Sequence, residues 1–194
     1  LYHYAELKAT HPLRVCIPFG NSFGKAARLA ASLDLSVKLD VSQPDPAQIS
    51  ELQEILRFYL HQSTVSQPIE YFHSLLMGWV HRNPARLWSI QEEDPSLTCF
   101  VTDRGEEIPS RRLAGGGLST DAEVDLEAFK RELLAEKGEC VTCDFFAVCE
   151  GYFKRPRRDY SCKGVRSLFK TIYEAADELR DLVAAADVTK EKSP

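Results

Sequence analysis

The sequence has no run of apolar residues long enough for a membrane-spanning helix, which needs about 18 in succession. Its first residues, Leu-Tyr-His-Tyr, lack both the basic start and the apolar core of a secretory signal peptide. We therefore expect a cytoplasmic protein that does not associate with membranes. An initiator methionine is also missing, which favours an internal fragment of a longer chain.

The composition argues against two further classes of protein. Six cysteines among 194 residues are too few for a disulfide scaffold. With 24 basic and 29 acidic residues, the net charge of −5 disfavours a dedicated nucleic-acid-binding protein. A hydrophobic fraction of 44% and a charged fraction of 27% are typical of a globular chain. The length predicts one domain, alone or with a small appendage.

Residues 1–95 have the pattern of an α/β fold. Residues 13–19 form a short apolar run that ends at a glycine, and residues 23–33 carry apolar side chains at helical spacing. Residues 35–41 then alternate between apolar and polar, as a strand does. This order predicts a βαβ unit with parallel strands.

Two amphipathic helices are predicted to follow this unit, over residues 47–61 and 68–80. Asp45 is a candidate amino-terminal cap for the first of them, with Pro46 at its first helical position.

Residues 96–186 have a different pattern, which predicts a small, cysteine-rich α+β domain. We expect a β-hairpin, a helix, an irregular cysteine segment and a long final helix, over residues 97–112, 125–136, 140–162 and about 164–186. Residues 187–194 are expected to form a flexible tail.

The cysteine segment is the strongest signal in the sequence. Its spacing is Cys140-x2-Cys143-x5-Cys149-x12-Cys162. Four thiolates on a short irregular segment can converge on one zinc ion or one iron–sulfur cluster. Disulfides, a redox-active Cys-x-x-Cys pair and buried cysteines without metal are the alternatives, and each explains the clustering less well. The wide last interval favours a 4Fe–4S cluster modestly over zinc.

The residues around these cysteines resemble a known family. Residues 139–151, Glu-Cys-Val-Thr-Cys-Asp-Phe-Phe-Ala-Val-Cys-Glu-Gly, look like the SPASM domain, the auxiliary-cluster domain at the carboxyl end of radical S-adenosylmethionine (SAM) enzymes. The resemblance covers about residues 97–185, because the hairpin and both helices occur in the expected order.

The sequence departs from the family at one of two cluster sites. A full SPASM domain binds two 4Fe–4S clusters, and the resemblance places the fourth cysteine of its core motif at Phe153. A Gly-x4-Cys element of the same cluster corresponds to Gly105-x4-Ser110. The second cluster's ligands match Cys140, Cys143, Cys149 and Cys162. The resemblance therefore implies a domain that keeps only its second auxiliary cluster.

In this family a partial barrel of βα units comes before the auxiliary domain, and residues 13–80 fit the last units of such a barrel. The Cys-x3-Cys-x2-Cys motif that holds the SAM-binding cluster is absent, since Cys16 stands alone. We expect SAM and its cluster in a missing amino-terminal part, or else a degenerate accessory protein that binds a peptide partner.

The resemblance implies a peptide- or protein-modifying enzyme with a peptide or small-protein substrate. An electron donor such as ferredoxin or flavodoxin is a candidate partner, and the auxiliary cluster would serve electron transfer or structural support. The alternative is a non-enzymatic interaction module in which zinc is held by the same four cysteines.

Two other features have structural and functional interpretations. Basic side chains near the last two cysteines either line a solvated loop, balance the charge of a cluster or dock an acidic peptide: Lys154, Arg155, Arg157, Arg158, Lys163 and Arg166. Gly20-x3-Gly24-Lys25 is similar to a phosphate loop but is one residue short and lacks the following Ser or Thr.

Overall fold

The computed structural model describes Leu7, residues 10–108 and residues 125–191. The chain divides into two compact units. Unit 1 comprises Leu1–Pro84 and Gly164–Pro194, and unit 2 comprises Ala85–Lys163. The long final helix thus belongs to unit 1 from Gly164 onward, although its sequence position follows the cysteine segment.

Unit 1 contains the predicted βαβ arrangement. Strand β1 (Arg14–Pro18), helix α1 (Phe23–Ser32) and strand β2 (Ser36–Asp40) follow one another, and the two strands pair in parallel. Val15 lies opposite Val37, and Ile17 lies opposite Leu39. The βαβ prediction is confirmed. The described residues form only two sheets of two strands each, so the assignment to a barrel stays a prediction.

Helix α2 (Pro46–His61) begins where its sequence predicts. The Asp45 carboxylate accepts a hydrogen bond from the Gln48 backbone N–H at 2.8 Å, and the Gln48 side chain accepts one from the Asp45 N–H at 2.9 Å. This capping box satisfies two N–H groups that lack partners within the helix. The predicted cap and the position of Pro46 are confirmed.

The start of helix α1 is capped by a carboxylate from helix α2. The Gly24 N–H donates to Glu51 Oε1 at 2.9 Å, and a Cβ at Gly24 would lie 2.7 Å from the same oxygen. A helix amino terminus attracts negative charge, and here an internal carboxylate occupies that position. Within the stretch similar to a phosphate loop, the Gly24 N–H therefore already has a carboxylate partner.

Helix α3 (Glu70–Val80) and the final helix α7 (Lys163–Glu191) complete unit 1. The Trp79 ring lies 5.9 Å from Phe169 and 5.7 Å from Tyr173, in edge-to-face geometry. Helix α7 buries a stripe of residues at helical spacing: Val165, Leu168, Phe169, Ile172 and Ala176. It continues to Glu191, five residues beyond the end expected from the sequence.

Before the cysteine segment, the described residues of unit 2 form helix α4 (Leu87–Ile90), strands β3 (Phe100–Val101) and β4 (Glu107–Ile108), and helix α5 (Leu126–Ala135). The hairpin is confirmed, since Phe100 pairs antiparallel with Ile108. Gly105 in its turn has a φ of 78°, which favours glycine. The remainder of the predicted return strand, to residue 112, lies outside the described residues.

An aromatic core holds unit 2 together. The Trp88 ring lies 5.0 Å from Tyr152 and 6.4 Å from Phe129, and all three side chains are buried. Phe153 lies 5.3 Å from Tyr152 and is also buried. These rings place the turn after Cys149 against helix α5. No helix in the described part of the chain is both long and apolar enough to cross a membrane.

Candidate metal centre

The first three cysteines lie on a succession of tight turns. The Cys143 N–H donates to the Cys140 carbonyl at 3.3 Å, and the Phe146 N–H donates to the Cys143 carbonyl at 3.0 Å. The four-residue helix α6 (Phe146–Cys149) then carries Cys149, whose N–H donates to Phe145 at 2.9 Å. Such turns bring side chains separated by two to five residues close together.

The six cysteines divide by exposure. All are free thiols. Cys16 and Cys99, outside the cysteine segment, are exposed. The four predicted ligands are withdrawn from solvent: Cys140 and Cys162 are buried, and Cys143 and Cys149 are half-buried.

Electrostatic effects link the four withdrawn thiols: Cys143 acts on Cys140 and Cys149, and both of these act on Cys162. Burial is the main cause that raises the pKa of Cys140, and the charge of Cys143 raises it further. Burial likewise raises the pKa of Cys149 to about 11, with contributions from Cys140 and Cys143. The pKa of Cys162 is raised by burial, then by Glu139, Cys149 and Cys140. Each thiolate therefore disfavours ionisation of its neighbours, and the positive charge of Lys154 opposes this effect at Cys140 and Cys162.

The turn after Cys149 presents N–H groups to its sulfur. Backbone hydrogen bonds from Phe153 and Gly151 lower the pKa of Cys149, against the larger effect of burial. The turn is possible because Glu150 and Gly151 both adopt left-handed conformations, with φ of 47° and 76°. N–H groups directed at a thiolate stabilise its negative charge, as in iron–sulfur and zinc sites.

The described residues contain no group of three or more His, Cys, Asp or Glu side chains placed to bind a metal ion as they stand. A single zinc ion with Zn–S bonds of about 2.3 Å would bring its sulfurs to about 3.8 Å from one another. A 4Fe–4S cluster separates its cysteine sulfurs more widely, because a different iron binds each one. Four soft thiols withdrawn from solvent, with N–H groups directed at the Cys149 sulfur, are donor chemistry that suits such a cluster.

Lys154 lies beside this group and is itself buried, with 7% of its surface exposed. Its Nζ lies 2.5 Å from Glu139 Oε1 and 2.5 Å from the Tyr160 carbonyl oxygen. The Cys162 N–H donates to the same Glu139 oxygen at 3.1 Å. Burial opposes ionisation of Glu139, but the hydrogen bonds from Lys154 and Cys162 outweigh it and lower its pKa.

The sequence did not single out Lys154 from the other basic residues of this region. Those residues have other surroundings: Arg158 pairs with Glu132 at 2.8 Å, and the Arg155 guanidinium lies 5.0 Å from the centre of the Phe129 ring. Arg157 and Lys163 are exposed. The sequence signal that could have identified Lys154 is its position directly after two large apolar residues, Tyr152 and Phe153.

Phe153, where the sequence resemblance would place a fourth core cysteine, belongs to the aromatic core. Phe153 is 1% exposed, and its ring lies 6.4 Å from Tyr160. Ser110, the other departure, lies outside the described residues. Cys99 is exposed, and its sulfur contacts the Phe100 carbonyl at 3.8 Å. His73 bonds through Nδ1 to the Tyr59 hydroxyl at 2.8 Å.

Comparison with known proteins adds no assignment to this geometry. No family model, curated protein or solved structure matches the chain.

Proposed function

We propose that Cys140, Cys143, Cys149 and Cys162 hold a 4Fe–4S cluster in unit 2. The observation that carries this proposal is the withdrawal from solvent of all four cysteines of one short segment, three of them on successive tight turns, while the two isolated cysteines are exposed. Their spacing, which resembles that of the second SPASM cluster, supports the same centre.

The chain's own residues define what this centre does. With a cysteine on every iron, no open coordination position is left for a substrate, which favours electron transfer or structural support over direct substrate binding. When bound, such a cluster supplies one-electron transfer. The N–H groups of Gly151 and Phe153 hold the Cys149 sulfur, and the aromatic core of Trp88, Tyr152 and Phe153 supports the turn that presents them.

The protein context that we propose is the carboxyl-terminal part of a radical SAM enzyme that modifies a peptide or small protein. The resemblance of residues 97–185 supports this context, with a ferredoxin or flavodoxin as electron donor. Six free thiols are typical of a reducing compartment, which supports a cytoplasmic location.

Metal analysis after anaerobic reconstitution of the full chain with iron and sulfide tests the proposal. We expect about four irons and four sulfides per chain, and a broad visible absorption band that weakens on reduction. Cys143→Ala should lose most of this iron, because one of its four anchors is gone. Cys99→Ala is the matched control, since Cys99 lies in the same unit but is exposed. Equal iron content in the two variants would contradict the proposal.

If the bound metal is zinc, a zinc site replaces the proposed 4Fe–4S cluster. A colourless protein that retains about one zinc ion per chain, and loses it in Cys143→Ala but not in Cys99→Ala, would identify a zinc-stabilised module instead.

A further inference from the structure

Lys154 differs from the basic residues around it by its burial. Of the six that surround the last two cysteines, all within the described part of the chain, Lys154 alone is buried. Its charge is therefore less screened by water than those of exposed Lys163 and Arg157. Burying an ammonium group is costly unless it is paired and hydrogen-bonded, so its partners must compensate.

Glu139 and Tyr160 provide that compensation and fix the ammonium group in place. Glu139 comes directly before Cys140 in the chain, and Tyr160 comes two residues before Cys162. Lys154 Nζ binds both of them, and the Glu139 carboxylate also accepts the Cys162 N–H at 3.1 Å. One ion pair, between the buried Lys154 and the half-buried Glu139, therefore joins the segments that carry Cys140 and Cys162.

We propose that the Lys154–Glu139 pair positions these two segments and sets the reduction potential of the metal centre through two opposed, fixed charges. This inference rests on the proposed function, because it requires a redox-active cluster on the four cysteines. Lys154 and Glu139 are positioning residues here, since neither is a ligand in the proposed set.

The direction of each effect follows from charge. Reduction adds one electron to a centre that four thiolates already make negative, so a nearby positive charge favours the reduced form and a negative charge disfavours it. In the buried environment of Lys154, both effects persist over distances at which exposed charges are screened. Removing the lysine should lower the potential, and removing the carboxylate charge should raise it.

The test is an anaerobic redox titration of the reconstituted full chain, with dithionite as reductant and electron paramagnetic resonance of the reduced cluster as the readout. Lys154→Met removes the positive charge, and Glu139→Gln removes the negative charge but keeps an oxygen that accepts from Cys162. We expect the reduction potential to fall in Lys154→Met and to rise in Glu139→Gln. Each shift should be about 59 mV, which corresponds to a tenfold change in the oxidised-to-reduced ratio at a fixed potential. Lys154→Arg keeps the positive charge and should therefore keep the wild-type reduction potential. The potential of the double variant Lys154→Met/Glu139→Gln should lie between those of the single variants.

Lys163→Met is the matched control, because it removes an exposed positive charge next to Cys162 and should shift the potential much less. If Lys154→Met does not retain iron, Lys154→Gln and Glu139→Gln carry the test. Shifts of the same sign, or no shift in variants that bind iron normally, would overturn the role of the pair and leave the cluster intact. A wild-type chain that binds four irons but gives no reducible signal would overturn the role of the pair alone, and a chain that binds no iron would overturn both proposals.

Discussion

Gly151 lies so close to Leu133 that a Cβ on the glycine would come within 2.5 Å of the leucine Cδ2 atom. The same Cβ would lie 3.0 Å from Cε1 of Phe129, and Gly151 has a φ of 76°. Both the backbone conformation and the space therefore require glycine here. This contact joins the turn that holds Cys149 to helix α5.

Gly151→Ala should therefore destabilise unit 2. The left-handed conformation costs a residue with a side chain about 1–2 kcal/mol, and the added methyl group must also displace two buried side chains. We expect the free energy of unfolding to fall by about 2–4 kcal/mol, measured by chemical denaturation. Gly138→Ala is the control, since a Cβ there meets nothing within 4 Å. Equal stability of the two variants would contradict the contact.

Glu51→Ala should weaken helix α1. Its carboxylate accepts from the Gly24 N–H and lies at the positive end of the helix dipole, and losing such a cap costs about 1 kcal/mol. Glu54→Ala is the control on the same helix, because the Glu54 side chain is 61% exposed and lies 4.0 Å from Arg28. Thermal unfolding compares the two, and a larger loss in Glu54→Ala would refute the assignment of the cap.

Stability at alkaline pH should depend on Tyr59. Burial, followed by the negative charge of Glu70, raises the pKa of Tyr59 from 10.0 to about 12. The unfolded chain therefore releases this proton first, and the free energy of unfolding falls as the pH rises through this interval. Below it, both states retain the proton and the contribution is complete.

Tyr59→Phe removes that titration, so its free energy of unfolding should fall less steeply than that of the wild type between pH 10.0 and about 12. Denaturant titrations across this range make the comparison. Parallel profiles would show that Tyr59 ionises equally in both states.

The thiols should react in two classes. In the native, cluster-loaded protein, an alkylating reagent should modify the exposed Cys16 and Cys99 quickly and leave the other four unmodified. Removing the cluster with a chelator and an oxidant under denaturing conditions, followed by re-reduction, should expose all six. Peptide mapping by mass spectrometry identifies the sites. Rapid native modification of Cys140 or Cys162 would contradict their burial and ligation.

Local patterns predicted much of the secondary structure. The Asp45–Gln48 capping box is formed by residues three apart, and the β-hairpin has Gly105 in its turn. Neighbouring residues therefore suffice to predict both. The parallel pairing of β1 and β2 followed from the strand–helix–strand order. Exposure of the six cysteines also follows their spacing, since the clustered four are withdrawn and the isolated two are exposed.

Contacts between distant residues were not predictable from those patterns. Glu51 reaches Gly24 across 27 positions, and Glu139 meets the Cys162 N–H across 23. The burial of Lys154 depends on both Glu139 and Tyr160, which surround it only after the chain has folded. The sequence left Lys154 among six basic residues that either line a solvated loop, balance the charge of a cluster or dock an acidic peptide, and lysine is rarely buried without partners.

Native mass spectrometry of the anaerobically reconstituted full chain tests the central claim most directly, because it identifies the bound centre without an assay of activity. We predict a species whose added mass corresponds to four irons and four sulfides on Cys140, Cys143, Cys149 and Cys162, and which Cys143→Ala lacks. The mass of the bare chain, or of the chain with a single zinc ion, would contradict the claim.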